Sequence, residues 1–163
     1  VGAGFEKGVL FLPQLLQSAG AAQAAFEVVK DAIAASGKKS GGKGKIIVAT
    51  VKGDIHDIGK NIVKTLLENY GYDVLDLGRD VPAETVVKAA QEHGVRLVGL
   101  SALMTTTLGS MEETICALRR AGLSSRVMVG GAVLTPEYAM HIGADYYAKD
   151  AKQSVDIARE VLG

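Results

Sequence analysis

Residues 45–71 read KIIVATVKGDIHDIGKNIVKTLLENYG. Lys45 to Thr50 is a short, β-rich run of the kind that forms a buried strand. A polar loop follows, and from Ile58 onward Ile62, Val63, Leu66 and Leu67 recur at helical spacing. Gly71 stands where a helix C-terminal cap belongs. Strand, loop and helix in this order make one unit of an alternating α/β chain.

The same alternation continues downstream. Further strands are predicted at Asp73 to Leu77, Val95 to Ser101, Arg126 to Gly130 and Asp145 to Ala148, giving five in all. Helices are predicted to start near Ile58, Pro82, Thr107, Thr135-Pro136 and Ala151, with Gly94, Gly122 and Gly143 as further caps. Right-handed crossovers then require a parallel sheet covered on both faces, of flavodoxin-like (Rossmann-like) order 2-1-3-4-5. Ligands of such sheets bind at the carboxyl ends of the strands.

Upstream the pattern changes. Leu12, Leu15, Leu16, Ala19, Phe26, Val29 and Ile33 define one long amphipathic helix to about Ala35, with Pro13 tolerated in its first turn. Gly20 weakens that helix, and its apolar stripe needs a neighbour to cover it. Phe5 to Gly8 reads as the tail of an earlier helix, and the chain begins at Val1 without Met, so a preceding segment is expected. Residues 37–44 are small and polar, as linkers are, dividing a helical part, 1–36, from the α/β part, 45–163. Gly41-Gly42-Lys43-Gly44-Lys45 is not a phosphate loop, because it precedes a strand instead of joining strand to helix.

Eighteen basic and eighteen acidic residues cancel, and no basic run exceeds two residues. On charge alone, neither nucleic acid nor an anionic membrane is expected as a partner. No apolar stretch approaches the roughly 20 residues that span a bilayer, and no signal peptide is evident; the reading is of a soluble cytoplasmic protein. The single cysteine, Cys116, forms no internal disulfide and is expected on the apolar face of its helix beside Met111, Ile115 and Leu118.

The chemistry collects at the carboxyl edge. The first loop, Val51-Lys52-Gly53-Asp54-Ile55-His56-Asp57-Ile58-Gly59, carries three ionisable groups in four residues. It meets Ser101-Ala102-Leu103-Met104-Thr105-Thr106-Thr107 after strand three and Gly130-Gly131-Ala132 after strand four. Strands one and three send their connections to opposite faces, which opens a crevice between them. His56 can bind a metal through one nitrogen while Asp54 accepts a hydrogen bond from the other. A simple zinc or iron site needs about three or four protein ligands, yet His93 and His141 fall in the last turns of distant helices, where they serve the helix dipole. A metal here has to bring most of its own ligands.

Asp54-x-His56-x-x-Gly59, 41 residues, Ser101-x-Leu103, 26 residues, then Gly130-Gly131 resembles the fingerprint of cobalamin-binding domains. The wording from Thr50 to Val63 resembles the methyltransferase branch of that family. Phe11-Leu12-Pro13-Gln14 with Ser18-Ala19 is similar to the last helix of the cap that covers the upper cobalt face there, so a truncated helical cap is expected.

The resemblance implies a cobalamin or related corrinoid whose cobalt is bound by His56 and which passes through a methylcobamide form in turnover. It implies contacts to that cofactor from Gly53 through Gly59 (Asp54, Ile55, His56, Asp57 and Ile58 between them), and from Ser101, Leu103, Met104 and Thr105. Gly130, Gly131, Ala132, Ala151 and Phe11 complete the set. Phe11 and Leu15 would press on the upper face, or serve simply as core.

His56, Asp54 and Thr107 would form a proton relay: His56 leaves the metal on reduction, takes up a proton, and is stabilised by Asp54. Thr107 stands where methionine synthase has serine. Helix N-capping is the competing role for Asp54 and Thr107. The implied function is methyl carriage between donor-specific and acceptor-specific methyltransferase proteins, with the cap moving aside on the 37–44 linker. A cobalamin-binding sensor and the cobalamin subunit of an adenosylcobalamin mutase remain open. A receiver domain is excluded, because Ser101 occupies the position where it needs aspartate.

Overall fold

A computed structural model describes residues 42–163 without interruption, together with eleven isolated positions between Val9 and Ala32. It divides into two compact units, Val1–Lys39 and Ser40–Gly163. In the first unit Pro13, Gln14, Gln17, Ser18, Ala21, Ala24, Ala25, Val28 and Ala32 are helical, as the periodicity predicts. Gln14 Oε1 accepts the Phe11 N–H at 2.8 Å at the start of this helix. The stripe residues Leu12, Leu15, Leu16, Ala19, Phe26, Val29 and Ile33, with Gly20, lie outside the described residues, as do 1–8 and the linker positions 37–41.

The second unit runs β1 (Lys45–Thr50), α1 (Ile58–Asn69), β2 (Asp73–Asp76), α2 (Ala83–His93), β3 (Leu97–Ser101), a 3-10 turn (Thr105–Thr107), α3 (Leu108–Arg120), β4 (Arg126–Gly130), α4 (Pro136–His141), β5 (Tyr146–Tyr147) and α5 (Ala151–Leu162). The five strands form one parallel sheet of order β2-β1-β3-β4-β5. That is the flavodoxin-like arrangement expected of the sequence.

Alternate residues of each central strand feed two cores. Ile47, Ala49, Val98, Leu100, Val127 and Val129 belong to one, and Ile46, Val48, Leu97 and Met128 to the other. Helix α1 packs on α5, and α2 packs on α3. A strand buried on both faces has no polar side to show, which is why KIIVAT is continuous and not alternating.

Three predicted strands are shorter in the structure. β3 begins at Leu97, since Val95 and Arg96 turn their carbonyls to the Ser125 hydroxyl and the Arg126 N–H. β2 ends at Asp76 and β5 keeps only Tyr146–Tyr147, although Leu77, Asp145 and Ala148 still donate single bonds to Val48, Val127 and Val129. Cys116 is exposed, contrary to expectation. One residue beyond Ile115 is about 100° further around the helix, which carries it off the stripe that buries Met111, Ile115 and Leu118. Among the described residues, no helix is long and apolar enough to cross a membrane.

Candidate functional site

The loop joining β1 to α1 is gripped from both sides. Toward β2, Thr50 N–H donates to Gly78 O at 2.9 Å, Val81 N–H to Thr50 O at 3.0 Å, and Asp80 N–H to Asp54 O at 2.9 Å. Toward β3, Val51 N–H donates to Ser101 O at 3.1 Å. Gly53 turns the chain with φ +83°, a conformation that glycine adopts without strain. The loop is thereby fixed before any side chain is considered.

Asp54 is fully buried and accepts from five donors. Oδ1 takes the His56 N–H at 3.0 Å and faces His56 Nδ1 at 2.8 Å. Oδ2 takes Leu103 N–H at 2.7 Å, Met104 N–H at 3.3 Å and the Thr107 hydroxyl at 3.0 Å. Burial alone would raise its pKa, but the backbone bonds from His56 and Leu103, the imidazole and the Thr107 hydroxyl outweigh it and hold the carboxyl well below the usual range. An ionised carboxylate can only accept, so Nδ1 of His56 carries a hydrogen, and in the neutral form of the ring Nε2 is the nitrogen with the lone pair. The His56 side chain is 45 % exposed. The geometry therefore engages Nδ1 and leaves Nε2 without a partner among the described residues, open to a ligand.

N-capping does not explain these two residues. Asp57 is the N-cap of α1, not Asp54. Thr107 occupies the N-cap position of α3 but makes no capping bond; its one hydrogen lies between Asp54 Oδ2 and Met104 O, the latter at 2.8 Å.

Beside this cluster, between α1 and α5, lies a cleft of about 510 Å³. Its walls include Gly59, Ser101, Gly130, Gly131, Ala132 and Ala151, all expected from the sequence. Two register rows form its sheet side: Ser101 with Gly130, and below them Val48, Gly99 and Met128. Gly99, in the middle of β3, lets the side chains of Met128 and Val48 come close, since a Cβ there would stand 3.3 Å from Met128 Cε and 3.4 Å from Val48 Cγ1. Gly131, at φ +145°, is required, since a Cβ there would stand 1.8 Å from Ala102 O.

The loops that carry His56 and hold Asp54 expose three aliphatic side chains: Ile55 is 61 % exposed, Ile58 74 % and Leu103 42 %. Exposed aliphatic side chains on these loops suit a flat hydrophobic ligand. Of the other expected contacts, Gly53 and Asp57 complete the loop, Met104 serves Asp54 through its backbone, and Thr105 opens the 3-10 turn. Phe11 belongs to the N-terminal unit. His93 and His141 sit in the last turns of α2 and α4.

Sequence reasoning passed over Lys60 and Asp80. Lys60 is buried and donates at 2.7 Å both to Asp76 Oδ1 and to Asn61 Oδ1. Burial opposes ionisation of Asp76, but the Lys60 bond leads the groups that lower its pKa. The signal was available: a cation in the first turn of a helix is disfavoured by the dipole and needs a partner. Asp80 offered none, because its contacts are fixed by the approach of two loops.

Comparison with known proteins bears on this geometry. Residues 44–156 match the B12 binding domain family. The chain is 46 % identical to dimethylamine corrinoid protein 1 of Methanosarcina acetivorans over 164 aligned residues, 99 % of this chain and 76 % of that protein. The structure of the Methanosarcina barkeri monomethylamine corrinoid protein superposes with a TM-score of 0.80 at 37 % identity, covering 99 % of this chain and 76 % of that one. A chain of the methanol:cobalamin methyltransferase complex from the same organism gives 0.73 at 35 % identity, covering 98 % and 61 %.

Proposed function

The chain belongs to the B12-binding domain family, and from that premise we propose that it carries a methyl group on cobalt between two methyltransferase proteins, with His56 as the protein's ligand to the metal. Its cofactor is cobalamin or a related corrinoid. The observation that carries the proposal is the imidazole held at 2.8 Å from a buried carboxylate, with no partner for its other nitrogen among the described residues.

The residues fit such a cofactor. Among those described, no three His, Cys, Asp or Glu side chains converge as a bare metal ion requires. One imidazole suffices for a metal that arrives inside a macrocycle. Ile55, Ile58 and Leu103 would offer apolar contact to the macrocycle, and the cleft beside Gly99, Ser101, Gly130 and Gly131 would hold the nucleotide tail.

When bound, the corrinoid supplies a cobalt atom that can hold the methyl group in transit. The chain's part is to offer Nε2 of His56 and to keep a proton within reach. The Asp54 carboxylate, 2.8 Å from Nδ1, would stabilise a proton held at Nε2 whenever that nitrogen is not ligating. Thr107 holds Asp54 Oδ2 in place. The two relatives named for dimethylamine and monomethylamine support a methylated amine as methyl donor, handled by a donor-specific methyltransferase, with a second such protein serving the acceptor.

The test is the ultraviolet-visible spectrum after anaerobic incubation with hydroxocobalamin and removal of the excess, for wild type and His56→Gly. Stoichiometric corrinoid with a histidine-ligated spectrum that the substitution abolishes is the expected result. Folded wild-type protein that retains no corrinoid would sink the proposal.

A further inference from the structure

Asp80, in the loop between β2 and α2, is the one non-glycine residue with positive φ among those described, at +53°. L-residues visit this region at a cost, and Asp and Asn are the side chains that tolerate it best. What the conformation achieves is visible in its bonds. The Asp80 N–H donates to Asp54 O at 2.9 Å, and Asp80 Oδ1 accepts the Gly53 N–H at 2.7 Å. One residue on a neighbouring loop thus holds the backbone of the two residues that lead into Ile55-His56.

The two grips on this loop are complementary. From the β3 side, Leu103 and Thr107 hold the side chain of Asp54. From the β2 side, Asp80 holds the backbone of Gly53 and Asp54. With the carboxylate pinned, a shift of the backbone would turn Asp54 about its own side chain and open the 2.8 Å contact to His56 Nδ1. Backbone and side chain have to be fixed together for the imidazole to keep its place.

We propose that Asp80 is a positioning residue for the metal ligand: it sets the backbone from which His56 stands, so that Nε2 is in place before the cofactor arrives. This rests on reading His56 as that ligand. Asp80 touches neither cofactor nor methyl group and acts through Gly53 and Asp54.

The test uses the whole chain with Asp80→Asn, which keeps an acceptor oxygen and tolerates the backbone angle, and Asp80→Gly, which accepts the angle but has no side-chain acceptor. Two readouts are taken. In the cofactor-free protein, hydrogen exchange at the Gly53 amide is expected to rise about tenfold in Asp80→Gly, as loss of one hydrogen bond implies, and to stay within about threefold of wild type in Asp80→Asn. With hydroxocobalamin bound, the histidine-ligated fraction of the spectrum is expected to fall in Asp80→Gly and to be restored in Asp80→Asn, both variants being folded by circular dichroism under the same conditions.

Unchanged Gly53 exchange in Asp80→Gly would overturn the proposal. So would faster exchange with an unaltered spectrum, because the clamp would then have no effect on the ring. Should wild type itself retain no corrinoid, the reading of His56 fails, and the exchange contrast still decides whether Asp80 clamps the loop.

Discussion

Asp54 and Asp145 stand at opposite ends of the same sheet, and both carboxyls are held below their ordinary pKa range against the effect of burial. The means differ. Asp145, at the amino end before β5, accepts from the Val127 N–H at 2.7 Å and from the guanidinium groups of Arg126 and Arg119. Asp54, at the carboxyl end after β1, has no Lys or Arg among its hydrogen-bond partners; its donors are backbone amides, a hydroxyl and an imidazole. At the amino end the carboxylate is answered by two guanidinium groups and a backbone amide, so all of its partners lie within the protein. At the carboxyl end the carboxylate orients a ring whose second nitrogen is left for something else. The first is an arrangement for stability; the second, on the proposed reading, holds a metal ligand.

If the carboxyl end is built for a ligand, its tightest element should tolerate the least change. Gly131→Ala places a Cβ 1.8 Å from Ala102 O at φ +145°, and neither backbone can yield without disturbing β3 or β4. A loss of more than about 3 kcal/mol in urea unfolding is expected. A loss below about 1 kcal/mol would mean that the strand-four loop is soft, and that the cleft wall is not preformed.

Asp54→Asn comes next and tests the carboxylate directly. One amide oxygen cannot replace two carboxylate oxygens: either the His56 donors or the group from Leu103, Met104 and Thr107 must face an NH₂. Leaving about two buried donors unpaired costs roughly 3 kcal/mol. If the amide turns toward His56, the ring must shift its hydrogen to Nε2, so histidine ligation of bound hydroxocobalamin should be lost as well. The pH dependence has a definite sign. Because the folded pKa lies below the unfolded value of about 4, Asp54 contributes fully above that value and loses its contribution as pH falls toward the folded one. The urea gap between wild type and Asp54→Asn should therefore be widest near neutrality and narrow on acidification below about pH 4.

Much of this contrast was legible in the sequence, for identifiable reasons. The strand order followed from five β-rich runs punctuated by glycine and proline, because parallel strands and right-handed crossovers leave few alternatives. The Asp54–His56 pair was legible because two residues on one loop need no tertiary contact to meet. Thr107, 53 residues from Asp54, was reached only through the resemblance. Lys60 with Asp76, and Asp80 with Gly53, depend on how two loops approach, which no local pattern encodes. Cys116 was misplaced by a single helical step, the resolution at which an apolar stripe ceases to be informative. Gly99 could have been noticed, since glycine inside a strand marks a close approach or a gap; the row it forms with Val48 and Met128 required the register.

The smallest effect is expected at the amino end, and it is the one that sharpens the comparison. In Asp145→Asn a single amide oxygen can keep the bonds from Val127 and Arg119, which share Oδ2, while the NH₂ takes the place of Oδ1. The partner lost is Arg126, whose side chain is 60 % exposed and already hydrated. A cost of about 0.5–1 kcal/mol is expected, shrinking as salt screens the pair in wild type. The corrinoid spectrum should not change. Urea midpoints at low and high ionic strength, taken beside the Asp54→Asn values, decide the matter. Equal losses at the two ends would show that the carboxyl-end network is stabilising structure like any other, whereas a small, salt-sensitive loss here and a large one at Asp54 tie the buried carboxylate to the imidazole it holds.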